Sequence, residues 1–232
     1  IVRQFEPTTN KLVYEGGVIT FNNLAITHLD FTLVADMVID PGEAGAIKLN
    51  SNTLNLNGKT LTIKGDLIHS GGTLNVNGGT LIVEGDYRIQ TPTEVEGAYT
   101  YSSGNLWMTN DADYVQVNGN FITDAVGSSS TNQRLSAGTL EVKGDFTQLS
   151  THTTSNYAGS SFGASGTHRV LLSGSSSQTV SFSDPRRNQS HFTILEFENS
   201  PAYIIFSPSE PTTNTLVSEG GLITSNNLAI TL

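Results

Sequence analysis

The sequence predicts an all-β chain, a right-handed single-stranded β-helix (β-solenoid) with loop insertions. Three observations predict it. Residues 53–66, TLNLNGKTLTIKGD, return as residues 73–86, TLNVNGGTLIVEGD, at a spacing of 20 residues. Self-similarity at a short fixed period marks architectures that stack one unit on the next. Within each copy apolar and polar residues alternate, with Leu54, Leu56, Leu61 and Ile63 in one and Leu74, Val76, Leu81 and Val83 in the other. That is the period of strands with one buried face. Finally, no segment shows a capped 3.6-residue period, and the abundance of Ser, Thr, Asn and Gly suits strands joined by tight turns.

Taken in order, the apolar runs LVY, VITF, LAIT, FTLV and MVI within residues 12–39 are the first strands, with turns at Gly16-Gly17 and Asn22-Asn23. Asp40-Pro41-Gly42 is a turn, because Pro presets φ and Gly tolerates positive φ. In the echo, like residues stack at the strand spacing of ~4.8 Å and build apolar columns. The Asn-Gly and Gly-Asp pairs stand where corners are needed. The corner returns in QVNGNF (116–121) and EVKGDF (141–146), so Gly65, Gly85, Gly119 and Gly144 lie 20, 34 and 25 residues apart. The excess over 20 leaves the stack as loops, within 90–113, 127–138 and 150–166. Strands resume at 168–172, 178–182 and 192–197, separated by an exposed turn at 183–187. Loops that leave one face of a repeat array are the usual place for binding surfaces.

A second, longer repeat encloses the first. Residues 6–27, EPTTNKLVYEGGVITFNNLAIT, match residues 210–231, EPTTNTLVSEGGLITSNNLAIT, at all but four positions, with an offset of 204. The chain is therefore divided into one full unit, 1–204, and the opening of the next, 205–232. Pro201, Pro208 and Pro211 mark the junction. The expected neighbours are further tandem units; a pair of terminal caps on a single domain is the alternative.

Composition narrows the function. The chain has 232 residues, a net charge of -10 and only 11 Lys and Arg. Nucleic acid and anionic lipid need a clustered basic footprint, so both are excluded as expected partners. No apolar run approaches the ~18 residues that span a bilayer. There is no cysteine, hence no disulfide scaffold and no thiolate metal site. Opening at Ile1 without a leader-like stretch, the chain is expected to be a piece of a longer, processed protein.

The phrases LNLNGKTLTIKGDL, GGTLNVNGGTLIVEGDY and VLLSGSSSQTVSFS…FTILEFENS resemble the repeats of large secreted surface proteins of bacteria, especially Gram-positive ones. Cellulose-binding β-helical adhesins of the tāpirin type are one variant of that group. The resemblance covers most of residues 50–200 and implies a secreted or cell-surface location and an adhesive or scaffolding role. It transfers no binding residue.

Four aromatic residues in and beside the largest insertion, Tyr99, Tyr101, Trp107 and Tyr114, are the candidate ligand surface, since flat aromatic faces stack on sugar rings. Packing of the loop onto the stack is the competing role. Asp111 and Asp113, with Asn110, offer hard oxygen ligands for calcium and, two apart on a strand, would share a face; a solvated turn competes with that reading. Asp36, Asp40 and Glu43 form a looser acidic group. His28, His69, His152, His168 and His191 show no zinc spacing. Arg88-Ile89-Gln90 only superficially echoes the Arg-Ile-Lys of polysaccharide-cleaving β-helices. A Thr-x-Thr ice-binding array fails because Thr60 and Thr62 give way to Thr80 and Ile82. The expected function is a structural or adhesive repeat module of a long extracellular bacterial surface protein, not an enzyme and with no cofactor beyond calcium. A polysaccharide-binding module, or one binding a host or cell surface, is the first alternative. A polysaccharide lyase or hydrolase is the last.

Overall fold

The computed structural model describes residues 30–42, 46–126, 133–152, 161–183 and 190–198. It also describes the backbone of short strands toward either end: Lys11–Tyr14, Gly17–Thr20, Leu24–Ile26, Ile204–Phe206, Thr212–Ser218, Ile223–Thr224 and Ala229–Ile230. The turn at Asn22-Asn23, Gly16, Glu43, the three junction prolines and most of the 183–187 turn lie outside the described residues, as do parts of the 127–138 and 150–166 loops.

The chain is all-β and is dominated by two long parallel sheets. One holds, in spatial order, Met37–Asp40, Thr60–Ile63, Thr80–Val83, Tyr114–Val117, Thr139–Val142, Arg169–Leu172 and Phe192–Phe197. The other holds Ala46–Asn55, Asp66–Asn75, Tyr87–Ile89, Phe121–Thr123, Phe146–Gln148 and Gln178–Phe182. In both sheets spatial order is chain order, and along most of the chain visits to one sheet alternate with visits to the other. The 20-residue echo sets the register directly: Thr60 pairs with Thr80, Leu61 with Leu81, Leu54 with Leu74 and Asn55 with Asn75. Later intervals lengthen while the register holds, with Val83 on Val117, Val117 on Val142, Val142 on Leu172 and Leu172 on Phe197.

Parallel pairing with strict alternation aligns the inward side chains in columns. Leu61, Leu81, Val115, Leu140, Val170 and Leu195 form one column, all without exposed surface. In the other sheet Leu67, Tyr87, Phe121 and Phe146 form a second. The core thus changes from aliphatic to aromatic along the chain. Phe146 is the hub of the aromatic half, with ring centres 5.3 Å from Phe121, 4.9 Å from Phe162, 5.6 Å from Phe182 and 5.0 Å from Phe192.

The corners explain the recurrent Gly-Asx pairs. Oδ1 of Asp66 accepts the backbone N–H of Asp86 at 2.8 Å, Asp86 accepts that of Asn120 at 2.8 Å, and Asn120 that of Asp145 at 2.8 Å. Asp145 then accepts that of Thr179 at 2.7 Å. Each corner side chain therefore satisfies a main-chain donor of the next strand. The preceding glycines leave room for it: a Cβ on Gly119 would lie 2.6 Å from Asp86 Oδ1 and 2.7 Å from the Gly85 backbone. At the other corner Asn57-Gly58 and Asn77-Gly78 have φ of 51° and 71°, and 46° and 75°, the pair of left-handed residues that a tight Asn-Gly turn needs. Gly42 has φ 80° and its N–H is capped by Asp40 at 3.0 Å, confirming that turn.

Two features differ from the sequence reading. The 90–113 stretch is not one loop. Thr91–Pro92 and Tyr99–Thr100 form a small antiparallel hairpin, after which Asn105–Trp107 re-enters the larger sheet on Thr73–Asn75. Ala46–Asn55 and Asp66–Asn75 are long strands with register shifts in the pairing between them around Asn50. Their successor splits into Tyr87–Ile89 and Asn105–Trp107, and the hairpin leaves at the split. The second feature concerns the 22-residue near-copies, whose matching segments lie on opposite sheets. Lys11–Tyr14 belongs to the larger, while Thr212–Ser218, which contains the matching segment, belongs to the smaller.

Candidate functional site

The re-entering strand presents an aromatic side chain to solvent. Leu106 and Met108 point inward and are buried, so Trp107 between them faces outward and is 38% exposed. Its ladder neighbours are Asn75 and, one strand further, Asn55. Leu135 bridges to Met108, which places Arg134 beside Trp107. The Arg134 guanidinium lies 6.0 Å from the indole centre and donates to Asn105 Oδ1. Partial burial pulls its pKa down. Arg88 and Arg169 pair with Asp86 at 2.7 Å and Glu196 at 3.0 Å, whereas Arg134 has no carboxylate partner among the described residues.

The other three candidates are placed elsewhere. Tyr99 sits on the hairpin with the Arg88 guanidinium 5.0 Å from its ring centre. Arg88 pairs in register with Ile68 and Ile122, which are buried. Tyr99 therefore helps to seat the hairpin against the sheet. Tyr101 is 41% exposed and meets the His152 ring edge-on at 4.5 Å. Next to it, Ser102 is fixed by a bridge to Ala125 and by donating its hydroxyl to the His69 carbonyl at 2.7 Å. Tyr114 belongs to the smaller sheet. It donates to the carboxylate of Glu141, which also accepts from the Ser173 hydroxyl and lies 4.0 Å from Lys143. Burial first, then the Glu141 bond and the charges of Glu141 and Glu198, push the Tyr114 phenol well up, so it stays protonated. No ring contact joins any two of these four aromatics among the described residues.

Asp111 and Asp113 lie in a turn, not on a strand. Asp113 N–H donates to the Asn110 carbonyl at 2.9 Å. The turn gives the two carboxylates different surroundings. Asp113 is buried and accepts the N–H groups of Thr109 at 2.7 Å, Asn110 at 3.0 Å and Gly78 at 2.5 Å. Asp111 is exposed and accepts from the Thr167 hydroxyl at 2.9 Å. Both oxygens of Asp113 are thus engaged by main-chain donors, and no group of three or more His, Cys, Asp or Glu is placed to hold a metal among the described residues. Asp36 and Asp40 likewise serve the backbone, capping Thr60 at 2.8 Å and Gly42 at 3.0 Å.

Two buried histidines are a feature that the sequence reading did not single out. His69 has its Nδ1 3.0 Å from the Tyr87 hydroxyl and its Nε2 3.3 Å from the Gly72 carbonyl. Since a carbonyl only accepts, Nε2 carries the proton and Nδ1 accepts from Tyr87. His168 lies edge-on to Phe162 at 5.9 Å, and neither ring nitrogen has a hydrogen-bond partner among the described residues. Burial pulls the His69 pKa down to about 4 and that of His168 down to about 3. Both rings are neutral near pH 7. Behind Asn105 and Arg134 lies a cavity of about 10 Å³, lined also by Phe121, Ser161 and Phe162, with room for one water molecule.

No family model, curated protein or solved structure matches this chain.

Proposed function

We propose that the chain is a β-solenoid, wound as a right-handed single-stranded β-helix, and serves as a stiff spacer or adhesion unit of a long bacterial surface protein outside the cell. The observation that carries this reading is the continuous parallel register of the smaller sheet, held across intervals of unequal length. A stack whose strands each bond to a neighbour on both sides resists bending. Loops of any length can leave it without changing its axis. The near-copies at 6–27 and 210–231 support a tandem arrangement, in which repeated units extend reach and multiply weak contacts. The resemblance to secreted repeat proteins and the lack of cysteine fit an extracellular setting.

The proposal has a measurable length. The ten strands of the smaller sheet, at ~4.8 Å each, make a rod about 45 Å long. Proteins carrying one, two and three tandem copies of residues 1–204, which hold eight of those strands, should lengthen by about 38 Å per copy in electron micrographs. Particles that grow in all directions, or that hinge freely between copies, would contradict the spacer reading.

A further inference from the structure

We propose that Trp107 and Arg134 form a binding subsite for a sugar ring that bears a carboxylate. The inference goes beyond the spacer reading and does not depend on it. Trp107 is the sole tryptophan of the chain, and it is placed outward on a strand whose other neighbours are buried. An indole left in water offers a flat apolar face, and the CH face of a sugar ring is its natural complement. The nearest position along the ladder, Asn75, carries a planar amide that donates to and accepts from hydroxyls, and beyond it Asn55 offers its NH2, its Oδ1 already accepting from the Asn57 N–H and the Asn77 side chain.

Arg134 decides the class of sugar. In a chain of net charge -10, the guanidiniums of Arg88 and Arg169 each meet a carboxylate of the protein. Arg134 instead holds the amide oxygen of Asn105 and stands over one face of the Trp107 ring, leaving the other face for the sugar. One guanidinium–amide bond leaves donors of the fork unused, and a carboxylate is the group that takes two of them in parallel. The bond to Asn105 and the partial burial of the side chain fix the fork before any ligand arrives, which lowers the entropic cost of binding. A neutral glycan would use the indole and the amides but would not call for a cation that has no carboxylate partner among the described residues. The competing surfaces are weaker. Tyr101 is engaged by His152, Tyr114 by Glu141, and the exposed Val95 at the hairpin tip stands alone.

The test uses the intrinsic fluorescence of Trp107, which no other tryptophan obscures. The protein is titrated with an oligogalacturonate and, separately, with the same oligosaccharide fully methyl-esterified, which removes the charge and keeps the ring. A saturable change with the acid, and binding at least about tenfold weaker with the ester, is expected, because hydrogen bonds to a charged group contribute about 1.5–3 kcal/mol. Arg134→Gln should weaken binding of the acid to a similar degree. Arg134→Lys, which keeps the charge without the fork, should fall between the two. The wild-type comparison of acid with ester stands even if a variant does not fold. The proposal is overturned if the acid gives no saturable change, if acid and ester bind equally, or if folded Arg134→Gln binds as wild type does.

Discussion

Replacing Asp86 by alanine removes one link of the corner ladder. The Asn120 N–H, which Asp86 accepts at 2.8 Å in a partly buried setting, is left without its acceptor. An orphaned donor of this kind costs about 1–3 kcal/mol. The ion pair with Arg88, at 2.7 Å between groups 26% and 20% exposed, contributes at most ~1 kcal/mol. The expected loss is therefore roughly 2–3 kcal/mol in urea unfolding, mostly from the hydrogen bond. Asp86→Asn keeps an acceptor oxygen in the same place. The chain already contains that solution, since Asn120 serves Asp145 N–H at the same 2.8 Å. Asp86→Asn should thus stay within about 1 kcal/mol of wild type, the range of the ion pair alone. Gly119→Ala is the companion perturbation. Its Cβ would meet the Gly85 carbonyl carbon and oxygen at 2.7 Å, and backbone cannot move aside without breaking the ladder. It should be more damaging than Asp86→Ala, and Asp86→Ala should not rescue it. Equal destabilisation by Asp86→Asn and Asp86→Ala would refute the reasoning, because the carboxylate charge rather than its acceptor geometry would then matter.

Phe146→Ala should cost about 3–5 kcal/mol, read by denaturant unfolding, because four rings close on Phe146 and a cavity would remain. His168→Leu should stabilise the fold by about 1–3 kcal/mol, since it replaces a buried ring whose nitrogens lack partners among the described residues. Acid should destabilise the protein through both buried histidines. Their folded pKa values, about 4 and about 3, lie below the ordinary value of 6.5, so the unfolded chain takes up protons first as pH falls. This stability is fully present above pH ~6.5 and is lost progressively as pH falls from there to about 4 for His69 and about 3 for His168, and its slope should roughly halve in His168→Leu. A slope unchanged in that variant would show that His168 is not buried neutral.

The register of the stack was legible because nine of the fourteen residues of 53–66 recur 20 positions on, and Leu61 on Leu81 needs no further information. The corner motif was visible too, but its cause was not. An Asp that serves a donor 20 or 34 residues away is recognisable only once the strands lie side by side. The 90–113 stretch read as a single loop because its strand lacks the Thr-Leu-Asn phrase. Leu106 and Met108 nevertheless keep the alternation of Leu74 and Val76, a signal that was present. At the candidate site the sequence pointed to Trp107, together with three tyrosines, because it lies in the largest insertion. Arg134 went unseen because its contact with Asn105 spans 29 residues and depends on which strand follows which. Asp111 and Asp113 misled because side chains two apart share a face only on a strand, and here the chain turns.

The central claim, a parallel register that survives the insertion, can be tested by disulfide trapping in a chain that has no native cysteine. Ile82 and Gln116 are partners in the smaller sheet across the 34-residue interval. Neighbouring parallel strands stand ~4.8 Å apart, inside the Cα separation that a disulfide accepts. Ile82→Cys with Gln116→Cys should oxidise readily within one chain. Ile82→Cys with Leu171→Cys, three strands apart at roughly 14 Å, should not. Failure of the first pair with success of the second would contradict the register on which the whole account rests.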